Sequence, residues 1–273
     1  MEKVPLSDYE VAPLDDVADH VVGLRIVFVN VFAITTPTGW TLIDAGLPFS
    51  AGRIRSWAER QFGEHARPQS IVLTHGHFDH TGAIEDLLKT WDVPVYAHRL
   101  EMPYLTGEKK YPPPDPSAGG GLMSFLSPLY PRGPVDIRDH VRPFPDDGAI
   151  PGMPGWQCIF TPGHTAGHCS FFRPEDRTLL VGDAFCTTDQ QSFLAVARQK
   201  PELHGPPAYY TPDWTNARRS VEKLAALEPR ILAPGHGLPM SGGAIPSQLA
   251  TLAANFDEIA IPSHSHHAQS QNL

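Results

Sequence analysis

The sequence has no apolar run approaching the ~20 residues a membrane-spanning helix needs, so no span is expected. The stretch from Met1 to Asp19 carries six acidic residues and no apolar core, so no signal peptide is expected either. No Asn-x-Ser/Thr sequon occurs. There are only three cysteines, Cys158, Cys169 and Cys186, and none form a Cys-x-x-Cys pair. An odd count without paired spacing speaks against a disulfide framework and fits buried, reduced thiols. A cytoplasmic location follows as the expectation. Basic residues are in the minority, with 21 Lys and Arg against 30 Asp and Glu, a formal net charge of −9. Phosphate contacts supply most nucleic-acid affinity, so no nucleic-acid partner is expected. Also missing are the Gly-x-Ser-x-Gly elbow, the Gly-x-x-x-x-Gly-Lys phosphate loop and the His-Glu-x-x-His helix. Their absence removes the commonest serine nucleophile, nucleotide and single-zinc protease chemistries.

What is there fits one soluble α/β domain over residues 1–273, with 41% hydrophobic and 19% charged residues. Leu24 to Ile34 forms a largely apolar, β-branched run. Thr36-Pro37-Thr38-Gly39 marks a turn into a second strand, Trp40 to Asp44, and the two read as a hairpin. Ser50 to Phe62 has helical spacing, with Ser50 as N-cap. Ser70–Thr74 and Val93–Ala97 read as strands, with a helix over Gly82–Leu88 between them. Further strands are expected at Gln157–Thr161, Cys169–Arg173, Thr178–Val181 and Arg230–Ala233, and helices at Asp213–Leu227 and Pro246–Ile259. Runs of strands separated by single helices point to a layered α/β sandwich.

Two segments break the pattern. Glu108–Pro154 holds Pro112-Pro113-Pro114 and Gly119-Gly120-Gly121, and Thr187–Pro212 shows no clean period. Irregular segments of this length serve a function more often than a core. Both carry large apolar and aromatic side chains: Tyr111, Met123, Phe125, Leu126, Tyr130, Phe193, Tyr209 and Tyr210. They are expected to wall or cover a site, or else to form a homodimer contact. Pro262–Leu273 reads as a frayed polar tail, where His264, His266 and His267 are expected to play no catalytic part.

The chemistry concentrates in His75-x-His77-x-Asp79-His80, directly after a strand. Four potential ligands in six residues require a tightly folded loop, which Gly76 and Gly82 permit. Three imidazoles and a carboxylate form a borderline donor set that suits Zn²⁺. Three more candidates each follow a strand in a Gly-flanked turn: His164, Asp183 and His236. Together they supply five His and two Asp, the number that two four- to five-coordinate metals require. His20, His65, His98, His140 and His204 lack partners at ligand spacing; His168, four residues after His164, reads as a strand residue, with support of a ligand as the alternative.

These residues, with Asp44 in Leu42-Ile43-Asp44-Ala45-Gly46, resemble the metallo-β-lactamase superfamily over Leu24–Gly237. The resemblance implies an αββα sandwich with the metal site at one edge of the two sheets. It implies that His75, His77 and His164 hold one metal, and that Asp79, His80 and His236 hold the other. It makes Asp183 the bridge between them, and Asp44 a group that orients a ligand. Two Zn²⁺ are the expected cofactors, with Fe or Mn as alternatives. The expected activity is hydrolysis of a carboxylic ester, lactone or thioester by a metal-bridging hydroxide, with Asp79 and Asp183 as the catalytic carboxylates. An iron-dependent oxidoreductase like the persulfide dioxygenases is the alternative, and a phosphodiesterase or nuclease a weaker one.

Absences also shape the expected substrate. β-Lactamases of this fold generally lack the bridging Asp, and Asp183 is present. After Arg230 the chain has no Lys or Arg, so its last segment cannot clamp the carboxylates of glutathione. Asp183 is followed by Ala184-Phe185-Cys186, without the nearby Tyr common in acyl-homoserine lactonases of the family. Tyr209 or Tyr210 is left to reach in from the second insert. A neutral, hydrophobic small molecule is the expected substrate.

Overall fold

A computed structural model describes residues 9–118, 122–188 and 201–262. Two six-stranded sheets form the frame. The first has the order β2-β3-β4-β5-β6-β7: Val21–Ile26, Val29–Thr36, Gly39–Ile43, Ser70–Val72, Val95–Ala97 and Val141–Pro143. The second has the order β1-β12-β11-β10-β9-β8: Glu10–Val11, Met240–Ser241, Ile231–Pro234, Thr178–Gly182, Cys169–Arg173 and Gln157–Phe160.

Strand alternation assigns the layers. On β3, Val29, Val31 and Ala33 face α1 (Ala51–Phe62) and α3 (Ile84–Trp91), joined there by Leu42 and Ile71. Phe32 and Ile34 on the same strand face the other way, into an apolar seam with Ile43, Val72, Phe171, Leu180 and Ala233. That seam is where the two sheets pack face to face. The outer face of the second sheet, with Leu179, Val181 and Leu232, packs under α6 (Trp214–Ala225) and α7 (Ile245–Ala254). The result is the expected αββα sandwich. Helix α6 starts where Asp213 accepts the N–H of Asn216 at 2.9 Å, and buries Trp214, Ala217, Val221 and Leu224 at helical spacing.

Several sequence expectations need correction. Leu24–Ile34 is not one strand: β2 and β3 meet at a two-residue turn, with Ile26 paired to Val29. Val27 turns with φ 60° and is 70% exposed, a β-branched residue where Gly or Asn would announce a hairpin. Ser50 makes no side-chain cap, and its hydroxyl donates to the Leu47 carbonyl instead. The Gly82–Leu88 helix is displaced to Ile84–Trp91, because the ligand motif itself coils into α2 (Phe78–Thr81). The last helix breaks at Asn255 into α7 and α8 (Phe256–Ile259). Within Glu108–Pro154 lie α5 (Leu122–Leu126) and the edge strand β7, only three residues long. The 3-10 turn Arg99–Glu101 and α4 (Met102–Leu105) were likewise not expected. Phe193, the side chain of Met123, and His264, His266 and His267 lie outside the described residues.

Candidate metal centre

Strand direction gathers the seven ligand candidates. β4 and β5 run parallel, as do β10 and β11, and β8 aligns with β10 through the antiparallel β9. Their carboxyl ends therefore meet at one edge of the sandwich. Asp44 follows β4, His75 follows β5, His164 follows β8, Asp183 follows β10 and His236 follows β11. All seven candidates are buried.

They form three overlapping clusters whose ligand atoms lie within 4.8 Å of one another: His75/His77/His164, His75/His80/Asp183 and Asp79/His80/His236. His77 Nδ1 is 3.1 Å from His75 Nε2 and 2.9 Å from His164 Nε2. Asp183 stands between the groups. Its Oδ2 is 3.4 Å from His164 Nε2 and 3.2 Å from His236 Nε2, while Oδ1 is 3.4 Å from His80 Nε2. Asp79 Oδ2 lies 3.4 Å from His236 Nε2.

The outward nitrogens are already engaged, which aims the others inward. His236 Nδ1 donates to the Phe28 carbonyl at 3.0 Å. His80 Nδ1 meets Asp44 Oδ2 at 2.8 Å, and His75 Nδ1 meets the Thr74 hydroxyl at 3.0 Å. His164 Nδ1 faces the Thr211 hydroxyl at 3.3 Å. Asp44, with φ 61° just beyond β4, also accepts the N–H and hydroxyl of Thr74, each at 2.8 Å. Partners of this kind fix the tautomer and ring orientation of a metal-binding imidazole.

The electrostatics differ across the centre. Burial holds the His75 and His164 pKa values well below normal, helped by neighbouring imidazoles, and lowers His77 to about 4. Burial also opposes charge on His80 and His236. There the carboxylates win: Asp183 and Asp44 hold His80 well above normal, and Asp183 and Asp79 raise His236 to about 10. Burial works against Asp79 and Asp183 as anions, but His236 and His80 outweigh it and keep both carboxyls below the usual range.

The residues fit a bound metal cation. His80 Nε2 and Asp183 Oδ1 are buried and have no hydrogen-bond partner, a costly state for inward-facing groups unless a cation takes up their lone pairs. An ion bound at ~2.0–2.1 Å by imidazole nitrogens sets them roughly 3.3 Å apart in a tetrahedron, close to the separations seen at His75, His77 and His164. Gly235 leaves the space open: a Cβ there would press on Asp183 Oδ1 and lie 2.9 Å from His80 Cε1.

Sequence reasoning missed several supports. His168 is no mere strand residue: its Nε2 accepts the Asp183 N–H at 2.8 Å, and its Nδ1 is 2.9 Å from the Thr161 hydroxyl. Burial lowers its pKa to about 3, so it stays neutral and able to accept. Buried Asn30 on β3 donates to the carbonyls of Pro234 and Gly237 at 3.0 and 2.8 Å, pinning the His236 loop. Glu101 is fully buried between the loops of His75–His77 and His164. The four-residue step from His164 to His168 was a signal for His168; nothing in the sequence marks Asn30 or Glu101. His20, His65, His98, His140 and His204 join no such cluster among the described residues.

A narrow pocket opens beside His77 and His164, walled by Tyr104, Tyr111, Pro112, Tyr209 and Tyr210. Tyr104 stacks on Tyr111 at 4.0 Å, and the Tyr210 ring lies 4.7 Å from that of His77. Both irregular segments thus contribute to the wall, and no Lys or Arg lines it among the described residues.

Comparison with known proteins agrees with this architecture. The chain is 48% identical over 259 residues to the "Probable metallo-hydrolase YflN" of Bacillus subtilis, covering 94% of this chain and 98% of that protein. Its fold resembles a metallo-β-lactamase from Cronobacter sakazakii (TM-score 0.60, 21% identity, 92% of this chain and 93% of that one). It also resembles a protein solved in a di-iron-bound form (TM-score 0.55, 25% identity, 85% of this chain and 96% of that one). The family description "Metallo-beta-lactamase superfamily" matches residues 24–236, the span from the β2 strand to the last ligand candidate. With that span, this sandwich and this edge cluster in agreement, the chain belongs to the metallo-beta-lactamase superfamily, a family of metal-dependent hydrolases.

Proposed function

We propose that the chain hydrolyses a neutral, hydrophobic carboxylic ester, lactone or thioester at a two-metal centre, with Zn²⁺ as the resident ion. The observation that carries this is the overlap of three ligand clusters, in which the middle one, His75/His80/Asp183, shares His75 with the first and His80 with the last. His75, His77 and His164 hold one ion, Asp79, His80 and His236 the other, and Asp183 is shared. Two such cations supply a water acidified towards pKa ~7 and a polarised substrate carbonyl. The preponderance of imidazole favours zinc; iron and manganese share this donor chemistry.

The chain's own residues do the rest. Asp79 keeps its carboxylate below the usual range beside the pocket, where it orients the attacking water and carries its proton towards the leaving group. Burial raises the Tyr209 and Tyr210 phenols, and Asp79 adds to it, so both remain protonated donors at neutral pH. The Tyr210 hydroxyl is buried without a hydrogen-bond partner, ready to donate to a substrate oxygen. The Tyr and Pro wall excludes water and receives an apolar group. Arg132 stands outside that wall, in the adjoining groove with Gly76 and Phe78. Among the described residues, a multiply charged glutathione thioester therefore meets no charge partner in the pocket itself.

The test is elemental analysis of protein truncated after Pro262, coupled to a panel of lactones, aryl esters, thioesters and phosphodiesters. Two metals per chain are expected, with kcat/KM for the best neutral ester or lactone at least ~10-fold above that for S-lactoylglutathione. One metal per fully active chain overturns the dinuclear reading. S-lactoylglutathione as the best substrate overturns the substrate reading alone.

A further inference from the structure

Glu101 closes a short 3-10 turn well away in sequence from every ligand candidate, yet it is 0% exposed. Its Oε2 accepts the Gly76 N–H at 3.0 Å and the Tyr111 hydroxyl. Its Oε1 accepts the Thr165 hydroxyl and the Gly167 N–H, each at 2.8 Å. Gly76 separates His75 from His77, and Thr165 follows His164. One carboxylate therefore spans the two loops that carry the His75/His77/His164 cluster. Tyr111, also within hydrogen-bond reach of the Gly76 N–H at 3.1 Å, is part of the pocket wall and lies 4.5 Å from the His77 ring.

We propose that Glu101 is a positioning residue for this one metal site, and that Tyr111 couples it to the substrate pocket. The inference rests on the two-metal reading above. The chemistry requires a carboxylate. Two of the four donors are backbone N–H groups, one on each oxygen, and neither can turn round to accept. A glutamine would present its amide N–H₂ to one of them, leaving two donors face to face. An aspartate is a methylene too short to span both loops. The loops themselves are closely fitted around the carboxylate. A Cβ on Gly76 would lie 2.6 Å from the Tyr111 oxygen, and one on Gly167 would lie 2.7 Å from Glu101 Cγ. Among the described residues, the Glu101 carboxylate makes no hydrogen bond to the second cluster, Asp79/His80/His236.

The experiment is stepwise Zn²⁺ and Co²⁺ titration of metal-free wild type and Glu101→Gln, followed by calorimetry and the visible Co²⁺ bands. The expected result is a ~10–100-fold loss of affinity in one binding step, with the other step unchanged. Thr165→Val and Tyr111→Phe, each leaving three donors, should weaken the same step less. Thr165→Ser, which keeps the hydroxyl, should match wild type. A residue that merely braced the fold would lower the thermal midpoint of the metal-free protein and weaken both steps alike. Equal losses at both steps, or two wild-type steps in Glu101→Gln, overturn the proposal. Should Glu101→Gln fail to fold, wild-type titrations in both Thr165→Val and Tyr111→Phe overturn it. A wild-type protein that takes up only one metal fails the two-metal reading instead.

Discussion

The two halves of the candidate metal centre both rest on buried imidazoles, but in opposite electrostatic states. Around His75, His77 and His164 the imidazoles are buried among one another, and the outward nitrogens of His75 and His164 meet hydroxyls, so burial keeps them neutral. Around His80 and His236 stand three carboxylates, Asp44, Asp79 and Asp183, and the same depth of burial leaves the imidazoles readily protonated. Burial alone thus fixes neither state; the count of neighbouring anions decides it. The neutral half offers lone pairs at once, whereas the acidic half would have to exchange protons for any metal it took up.

The change that should break this comparison most severely is Asp183→Asn. It removes the anion shared by both halves and leaves its imidazole neighbours without it. Activity should fall more than ~100-fold, beyond the usual cost of losing an outer partner, and total metal content should drop. Elemental analysis with kcat/KM checks this; an active variant with two bound metals would refute the shared role.

Asp44→Asn should separate the halves. Among the described residues, Asp44 hydrogen-bonds His80 but none of His77, His164 or His236. The expected cost is ~10–100-fold in the affinity of one metal only, read by stepwise titration. Because Thr74 also contacts His75, a loss at both steps would show that Asp44 governs the whole edge.

The mildest perturbation, a change of pH with no substitution, gives the most direct view of the asymmetry. A metal at the Asp79/His80/His236 half must displace protons from His80 and from His236, whose pKa lies at about 10. Its apparent affinity should rise with pH through neutrality, by about tenfold per pH unit for each proton released. The His77 half, titrating near 4, should show no such rise between about pH 6 and 8. Calorimetry in buffers of different ionisation enthalpy counts the protons; equal release at both steps would erase the distinction.

The sequence made the chemistry more legible than its support. His75-x-His77-x-Asp79-His80 is compact, and His164, Asp183 and His236 each follow a strand beside glycine, so all seven stand out as candidates. Their partners had no such mark. Asn30 lies inside an apolar strand and reaches a loop some two hundred residues away. Glu101 resembles any helix-surface glutamate until three distant segments close around it. The fold class was legible from alternation, but the Val27 turn was not, because a β-branched residue occupies the left-handed position. The Tyr209 and Tyr210 side chains were legible as a wall and not as neighbours of His77, a relation that only the packing of two loops creates.

The clamp of Asn30 on the Pro234–Gly237 loop has a consequence for the order in which the molecule comes together. His75, His77, Asp79 and His80 emerge with the first sheet, while His164, Asp183 and His236 belong to the second. Neither half of the chain owns a complete site. The early ligands can meet the later ones only once β11 has been made and Asn30 has caught the turn behind it. A metal held by both sets would latch the two sheets together, and a chain cut anywhere between them would have to reassemble before it could hold an ion there.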